Sequence, residues 1–452
     1  MKQHRFIFST TQLILLSFLA AILFGTALLA LPFSAADGQA VPFVDALFTA
    51  TTSVCVTGLT TLPTVSAWSP FGQAVILLLI QVGGLGIITT LAGVTLLFQR
   101  RMGLGDRLLL QDAFNLNTLS GLVRFLKKAL LGTFVVEGAG ALLCMTVFVP
   151  QYGWRGVWIS VFHAVSAFCN AGMDVLAQNS LMDYALHPLL NAVTCILILL
   201  GGVGFLVWWD VLAVLKQARR LGLRSFQRLT LHSKLVLWMT GLLLAGGTAA
   251  FFLLEYHNPA TLGDHSLPQK LLLAFFQSVT CRTAGFATIS QSALTDASAL
   301  VSLLLMFIGG SPVGTAGGVK TVTVAVLAAS AYATIRNRDQ VCLFHRALSR
   351  QALNKALAVV STAFAIVFLS TLLLSVVTQA PTMDVLFEVV SASATVGLSR
   401  DLTPALPTAG KLIVAATMYL GRVGPISLAV AFGTRRETRS VIQNPTEEIS
   451  VG

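Results

Sequence analysis

The chain has 452 residues, of which 55% are hydrophobic and only 10% charged, and its formal charge is +11. A soluble domain carries roughly 25% charged residues. The composition, with a mean hydropathy of +0.82, therefore excludes a water-soluble globular protein. The basic residues are scattered along the flanks of apolar stretches, which argues against a nucleic-acid partner and for a membrane topology signal.

In chain order, Thr11–Leu31 comes first, between Lys2/Arg5 and "FSAADGQA". A signal-peptide core runs to about 15 residues at most, so this longer segment reads as a retained span. Long apolar stretches recur at Leu13–Leu31, Ala74–Phe98, Leu189–Leu215 and Leu235–Leu254. Each is of the length that crossing the hydrocarbon demands, roughly 20 residues. The connecting segments 99–128, 216–234 and 336–355 are basic, and so are the tails, through Lys2, Arg5, Arg435, Arg436 and Arg439. The alternate segments hold acids, among them Asp37, Asp45, Asp174, Asp183, Glu255, Asp264, Asp296 and Asp384. The positive-inside rule places both termini and the basic segments in the cytoplasm. Cys55, Cys144, Cys169, Cys195, Cys281 and Cys342 show no paired spacing and read as small apolar fillers. No HExxH, GxSxG or P-loop pattern is present and the seven histidines do not cluster, so an enzyme is not expected.

One motif returns along the chain. "FTATTSVCVTGL" (Phe48–Leu59) resembles "FEVVSASATVGL" (Phe387–Leu398), and Phe162–Gly172 and Phe275–Gly285 share the spacing of Phe to Gly. Gly58, Gly172, Gly285 and Gly397 follow one another at intervals of 114, 113 and 112 residues. Before each Phe lies a short helix-competent stretch, with Pro42/Asp45 and Pro381/Asp384 suited to a helix start. Each such stretch is too short to cross a bilayer and reads as a re-entrant half-span.

The expected fold is an all-α polytopic membrane protein. It has four parallel membrane–pore–membrane repeats, giving eight spans and four re-entrant pore helices around a pseudo-fourfold pore. The repeats are placed at residues 1–98, 120–218, 232–335 and 351–435, with 436–452 as a cytoplasmic tail.

Irregular backbone at membrane depth is tolerated only where it is buried or lines a watery path. Four glycine-ended loops can aim carbonyls at a dehydrated cation, and glycine permits the positive φ that this needs. The candidate filter residues are Val54, Cys55, Val56, Thr57 and Gly58; Phe168, Cys169, Asn170, Ala171 and Gly172; Cys281, Arg282, Thr283, Ala284 and Gly285; and Ser393, Ala394, Thr395, Val396 and Gly397. The permeant ion is expected at the backbone of Val56, Thr57, Asn170, Ala171, Thr283, Ala284, Thr395 and Val396.

"SVCVTGL", "AFCNAGM", "TCRTAGF" and "ATVGL" are similar to the four filter segments of the Trk/Ktr/HKT superfamily of cation transporters, and the resemblance covers nearly the whole chain. It is strongest to the Ktr membrane subunit, since the chain starts directly with the first repeat helix. Sodium-favouring plant members can carry Ser at the first filter glycine; Gly58 here implies potassium selectivity. The resemblance further implies a homodimer in the bacterial cytoplasmic membrane, surrounded by membrane lipids. It implies a cytoplasmic ring of RCK-type subunits that bind ATP and ADP, with no cofactor on this chain. Potassium is then the permeant ion, and sodium as an activator stays open.

The second long helix of each repeat carries "VGGLGI", "LGGVGF", "IGGSPV" or "LGRVGP". In the first two the glycines are expected to serve close helix packing. In the third, Gly309, Gly310, Ser311, Pro312, Val313, Gly314, Thr315, Ala316, Gly317 and Gly318 precede Lys320, and no continuous helix is expected there. The resemblance makes this segment an intramembrane loop that gates the pore. Lys320 reads as a gating charge or a snorkelling flank residue. Arg422 stands where the others have Gly84, Gly202 and Gly310. It is expected to face the interior, where it tunes conduction, contacts the loop, opposes tight ion binding, or forms a structural ion pair. Glu137 reads as a packing residue, Arg282 as a brace behind the third filter, and Asn170 as a brace or a mouth-lining group. The competing functions are a sodium- or proton-coupled carrier and a structural or receptor protein. A carrier predicts inverted halves and a midplane acid.

Overall fold

The computed structural model describes residues 10–98, 121–176, 179–221, 227–338 and 340–424. The tail expected at 436–452, the arginines at 435, 436 and 439, Lys2, Arg5 and the basic residues of 99–120 lie outside them. A long helix, a short helix and a broken helix follow one another along the chain. The first group is α1 (Thr10–Leu29), α2 (Phe43–Cys55), α3 (Pro70–Leu85) and α4 (Ile87–Phe98). The second is α5 (Leu122–Tyr152), α6 (Trp154–Cys169), α7 (Pro188–Val203) and α8 (Phe205–Leu221). Next come α9 (Leu231–Glu255), α10 (Leu267–Thr280), α11 (Asp296–Phe307) and α12 (Thr321–Ile335). The last are α13 (Arg350–Val377), α14 (Thr382–Ser393) and α15 (Thr408–Val423). The only strands among the described residues are Cys342–Leu343 and Arg346–Ala347, paired as a small hairpin.

The long helices α1, α5, α9 and α13 are each apolar and long enough to cross a membrane. They expose large apolar side chains such as Leu131, Phe134, Leu253 and Phe364, which suits a lipid neighbour. The short helices differ. The 13 residues of α2 reach only about 20 Å at 1.5 Å per residue, short of the ~30 Å hydrocarbon thickness. They are instead enclosed by the others: Phe48, Phe162, Phe276 and Phe387 are at most 1% exposed. Pro42 and Pro381 sit just before the first turns of α2 and α14, and Asp45 and Asp384 lie within those turns.

The packing closes a ring. Each long helix packs on the short and broken helices that follow it. Each broken helix then packs on the next short helix: α3 on α6, α7 on α10, α11 on α14, and α15 back on α2. The last junction is tied by Lys411 Nζ, which lies 2.6 Å from Asp45 Oδ1. Asp384, in the corresponding place on α14, pairs instead with Arg400 at 2.7 Å. The helix-start aspartates thus complement the helix dipole, as their position suggests, and also pair with basic residues that no local pattern reveals.

Two expectations need correcting. The glycines of "VGGLGI" and "LGGVGF" do more than pack. Gly86, Gly204 and Gly424 adopt φ of 86°, 91° and 90° and stop their helices; α7 and α8 meet at 101°. The first glycines do pack closely: a Cβ on Gly83, Gly201 or Gly421 would run into the carbonyl oxygen of Val54, Phe168 or Ser393. The inner helices are therefore bent rather than straight. Four described helices are long enough to span alone, and the bent pair α7–α8 is a fifth. The second correction concerns Phe275, which is 38% exposed, while its neighbour Phe276 is buried like Phe48, Phe162 and Phe387. The third segment reaches its glycine with one residue fewer than the other three.

Lys411→Met and Asp45→Asn are each predicted to lower stability by about 1–3 kcal/mol, the range for losing a charge-assisted hydrogen bond. The double variant is expected to cost less than the sum. Thermal unfolding in detergent checks both, and fully additive losses would show that the pair does not close the ring.

Candidate functional site

At the C-terminal end of each short helix the backbone makes the same manoeuvre. Val56, Asn170, Thr283 and Thr395 adopt positive φ of 56°, 60°, 65° and 52°. Two residues on, Gly58, Gly172, Gly285 and Gly397 do so again at 99°, 64°, 84° and 95°. The glycines carry this freely. For Val56, Thr283 and Thr395, which are β-branched, it is a strained conformation costing of order 1–3 kcal/mol each. Alternating left-handed and ordinary residues turns successive peptide groups to one side.

The amides account for themselves. Val56 and Thr57 donate to the Ser53 and Thr52 carbonyls at 3.2 and 2.8 Å, and the Gly58 amide donates to Thr52 Oγ1 at 2.9 Å. The fourth segment repeats this through Ala392 and Ser391, at 3.2 and 2.8 Å, and the Gly397 amide donates to Ser391 Oγ at 3.0 Å. In the second segment Ala171 donates to the Ser166 carbonyl at 2.8 Å, and Ser166 Oγ accepts from the Met173 amide at 3.1 Å. In the third, Ala284 donates to Thr280, four residues back rather than five. This is the missing residue that exposes Phe275. With the donors turned to the helices, the carbonyls face the other way.

They face one another around an axis. A Cβ on Gly58 would meet the Ala171 carbonyl oxygen; on Gly172, that of Ala284; on Gly285, that of Val396; and on Gly397, that of Thr57. The contacts run in chain order and close on themselves. The four glycines also line one cavity of about 210 Å³. Asp174 and Asp401 line the same cavity, with no Lys or Arg among its lining residues, so it concentrates cations. The carboxylate of Asp401 is the mouth residue that sequence reasoning missed.

The structure places the other site residues as follows. Val54, Cys55, Phe168, Cys169 and Ser393 are the last helical residues of α2, α6 and α14, just before the left-handed turns. Cys281 ends α10 and Ala394 ends α14 as capping residues. The Asn170 side chain is buried, with the Ala167 and Ile198 carbonyls 3.0 and 3.3 Å from its terminal amide, where an NH2 turned toward them donates to both. Arg282 is buried, and its Nη2 donates to the Gly309 carbonyl at 3.1 Å. It ties the third segment to the start of the glycine-rich stretch.

No helix forms between Phe307 and Thr321. Gly309, Gly310, Pro312, Val313, Gly314, Ala316, Gly317 and Gly318 form a loop with a pinched neck. Gly310 donates to Gly317 at 3.1 Å, and Thr321 donates to Gly310 at 3.0 Å. The loop touches the second, third and fourth quadrants of the ring. Ser311 and Thr315 donate to the Gly202 and Gly201 carbonyls at 2.9 and 3.1 Å. Thr315 Oγ1 donates to Phe168 at 2.9 Å. The Gly317 amide donates to Thr283 Oγ1 at 3.2 Å, and a Cβ on Gly317 would strike Ala394 and Thr395. Lys320 Nζ folds back on the Ala316 carbonyl at 2.6 Å, so it braces the loop rather than reaching outward.

Arg422 completes the set. Its Nη1 donates to Thr315 at 2.7 Å, and its Nη2 to Gly83 at 2.6 Å and Gly84 at 3.4 Å. Of the roles the sequence leaves open, contact with the loop is the one observed. No carboxylate takes part: the ion pairs among the described residues are Arg400–Asp384 and Lys411–Asp45.

A closed ring of re-entrant backbone, under an acidic mouth and over a glycine-rich loop, defines a polytopic membrane transporter of cations. The family model described as a cation transport protein, TrkH, matches residues 6–442, and the chain belongs to that family. It is 38% identical to the Ktr system potassium uptake protein B of Bacillus subtilis over 98% of this chain and 97% of the relative. It is 37% identical to the potassium/sodium uptake protein NtpJ of Enterococcus hirae over 100% of this chain and 99% of the relative. The solved potassium transporter TrkH of Vibrio parahaemolyticus has the same fold, with a TM-score of 0.71 over 95% of this chain and 86% of that one at 18% identity. Family members are ion transporters, so the chain is not an enzyme.

Thr52→Val removes the acceptor of the half-buried Gly58 amide and is predicted to cost about 1–3 kcal/mol of stability. Thr51→Val, whose hydroxyl bonds only within its own helix to Leu47, is expected to cost under about 0.5 kcal/mol. Equal losses in thermal unfolding would remove the hydroxyl brace from the account.

Proposed function

We propose that the chain takes up potassium across a bacterial cytoplasmic membrane through a channel-like pore, with both termini cytoplasmic. The supporting observation is the closed ring in which each filter glycine abuts the carbonyl of the next segment. In this reading the carbonyls of Val56, Thr57, Asn170, Ala171, Thr283, Ala284, Thr395 and Val396 replace the hydration shell of the ion. The partial negative charge at the C-termini of α2, α6, α10 and α14 adds to their field. The names of the Bacillus and Enterococcus relatives support potassium as the cargo.

The loop from Gly309 to Lys320 is the gate in this account, held by Arg422 and by the filter's own backbone. Control comes from a cytoplasmic RCK-type partner that binds ATP and ADP and docks on the basic segments, and the membrane subunit pairs as a homodimer. A partner subunit is consistent with the "Ktr system" in the relatives' names. Sodium is assigned no structural site.

Gly58→Ser is predicted to lower discrimination of potassium over sodium by about tenfold or more, because a side chain at φ +99° must displace the Ala171 carbonyl. Competition of the two ions for uptake in proteoliposomes checks this, and an unchanged ratio would remove the filter assignment. Deleting Ser311–Gly317 joins residues that already lie side by side at the neck, so the rest of the fold is expected to survive. Flux should then rise several-fold. A folded deletion variant with parental flux refutes the gate.

A further inference from the structure

Behind the second filter segment lies a group of side chains that neither filter nor gate employs. Glu137, midway along α5, is 5% exposed. Its Oε2 accepts from Gln81 Nε2 on α3 at 3.1 Å. Its Oε1 faces Cys169 Sγ at 3.8 Å, and that thiol also faces Gln81 Oε1 at 3.8 Å. Three side chains from three helices thus form a small polar ring, in which the one thiol hydrogen of Cys169 serves either oxygen. A carboxyl at this depth is disfavoured, and an apolar side chain of similar volume would fill the space as well. The polar choice therefore needs a reason beyond packing.

The attachments supply one. Cys169 is the last residue of α6, next to Asn170 with its left-handed backbone. Gln81 lies two residues before Gly83, whose carbonyl accepts from Arg422. A Cβ on Gly84 would lie 2.6 Å from Cys169 Sγ, so α3 and the end of α6 are already in close contact there. The ring joins the rear of the second filter segment to the stretch of α3 that anchors the gate arginine.

We propose that Glu137 is a positioning residue for ion selection: through Gln81 and Cys169 it holds the second filter segment and the carbonyls that receive Arg422 in one register. The proposal rests on the filter assignment made under the proposed function. It concerns geometry, so shape and hydrogen-bonding capacity matter and charge does not.

The test is the ratio of potassium to sodium uptake in proteoliposomes, with protein amount and monodispersity checked for each variant. Glu137→Ala is expected to lower the ratio about fivefold or more, and Glu137→Gln to restore it to within about twofold of the parent. Gln81→Ala should lower the ratio similarly, and the double variant Glu137→Ala/Gln81→Ala no further than either single change. If Glu137→Ala does not accumulate, Gln81→Ala alone decides. A parental ratio in the alanine variants, a Glu137→Gln variant as impaired as Glu137→Ala, or multiplicative effects in the double variant each overturn the proposal. Gly172→Ser, measured in parallel, separates the brace from the filter: if it alters the ratio while the alanine variants do not, only the brace fails. If none alters it, the filter assignment fails as well.

Discussion

Backbone that leaves the helical state inside a membrane must find partners for every amide and carbonyl, because the lipid provides none. The four re-entrant segments meet this constraint asymmetrically. Their amides bond backward to helix ends and hydroxyls, and their carbonyls are left to one another. Like carbonyl dipoles repel, so such a ring is unsatisfied until a cation sits among them. The rest of the fold follows from keeping it closed. Short helices bring the chain to mid-depth, each broken helix wedges against the next short one, and Lys411 ties α15 to α2, the first short helix. No side chain is admitted at the four glycines because the neighbouring carbonyl occupies that space.

Breaking the inner helices frees carbonyls on the inner side of the ring, and the asymmetry of the last two quadrants makes use of them. Gly201 and Gly202 receive the amides of the loop, and Gly83 and Gly84 receive the guanidinium of Arg422. An arginine at this depth costs about 2.5–3.5 kcal/mol on insertion scales. Two short bonds to carbonyls, each worth about 1.5–3 kcal/mol with a charged donor, offset that. A lysine at the same place would reach one quadrant as a point donor, where the planar fork reaches two.

Much of this was legible in the sequence, and the limits are physical. Apolar length and basic flanks pointed to the membrane class. The even interval of Gly58, Gly172, Gly285 and Gly397 pointed to the ring, since a glycine recurring at a fixed period marks one backbone turn made four times. The loop at Gly309–Thr321 was readable because glycine and proline density rules out a helix. What stayed hidden depends on contacts between distant segments. Nothing local says that Val56 and Thr395 must be left-handed; the helix ends impose it. The helix-stopping role of Gly86 and Gly204 was masked by their resemblance to packing glycines. Phe275 was misaligned because two adjacent phenylalanines offered two registers, and burial alone chooses between them. The partners of Asp45, Glu137 and Arg422 lie hundreds or tens of residues away, beyond the reach of any spacing rule.

The glycine-rich loop and the backbone ring share bonds, so the loop cannot move alone. The loop is held by Thr283 Oγ1, by the Phe168 carbonyl at the end of α6, and by Arg282, which lies in the third re-entrant segment. It cannot leave without releasing groups at the ends of the short helices. Each neutral bond contributes about 0.5–1.5 kcal/mol net and each to an arginine about 1.5–3. The sum is of the order of the 5.5 kcal/mol of differential affinity that carries a two-state equilibrium from 1:99 to 99:1. Displacing the loop would also loosen the second and third re-entrant segments, so loop position and ring geometry draw on one set of contacts.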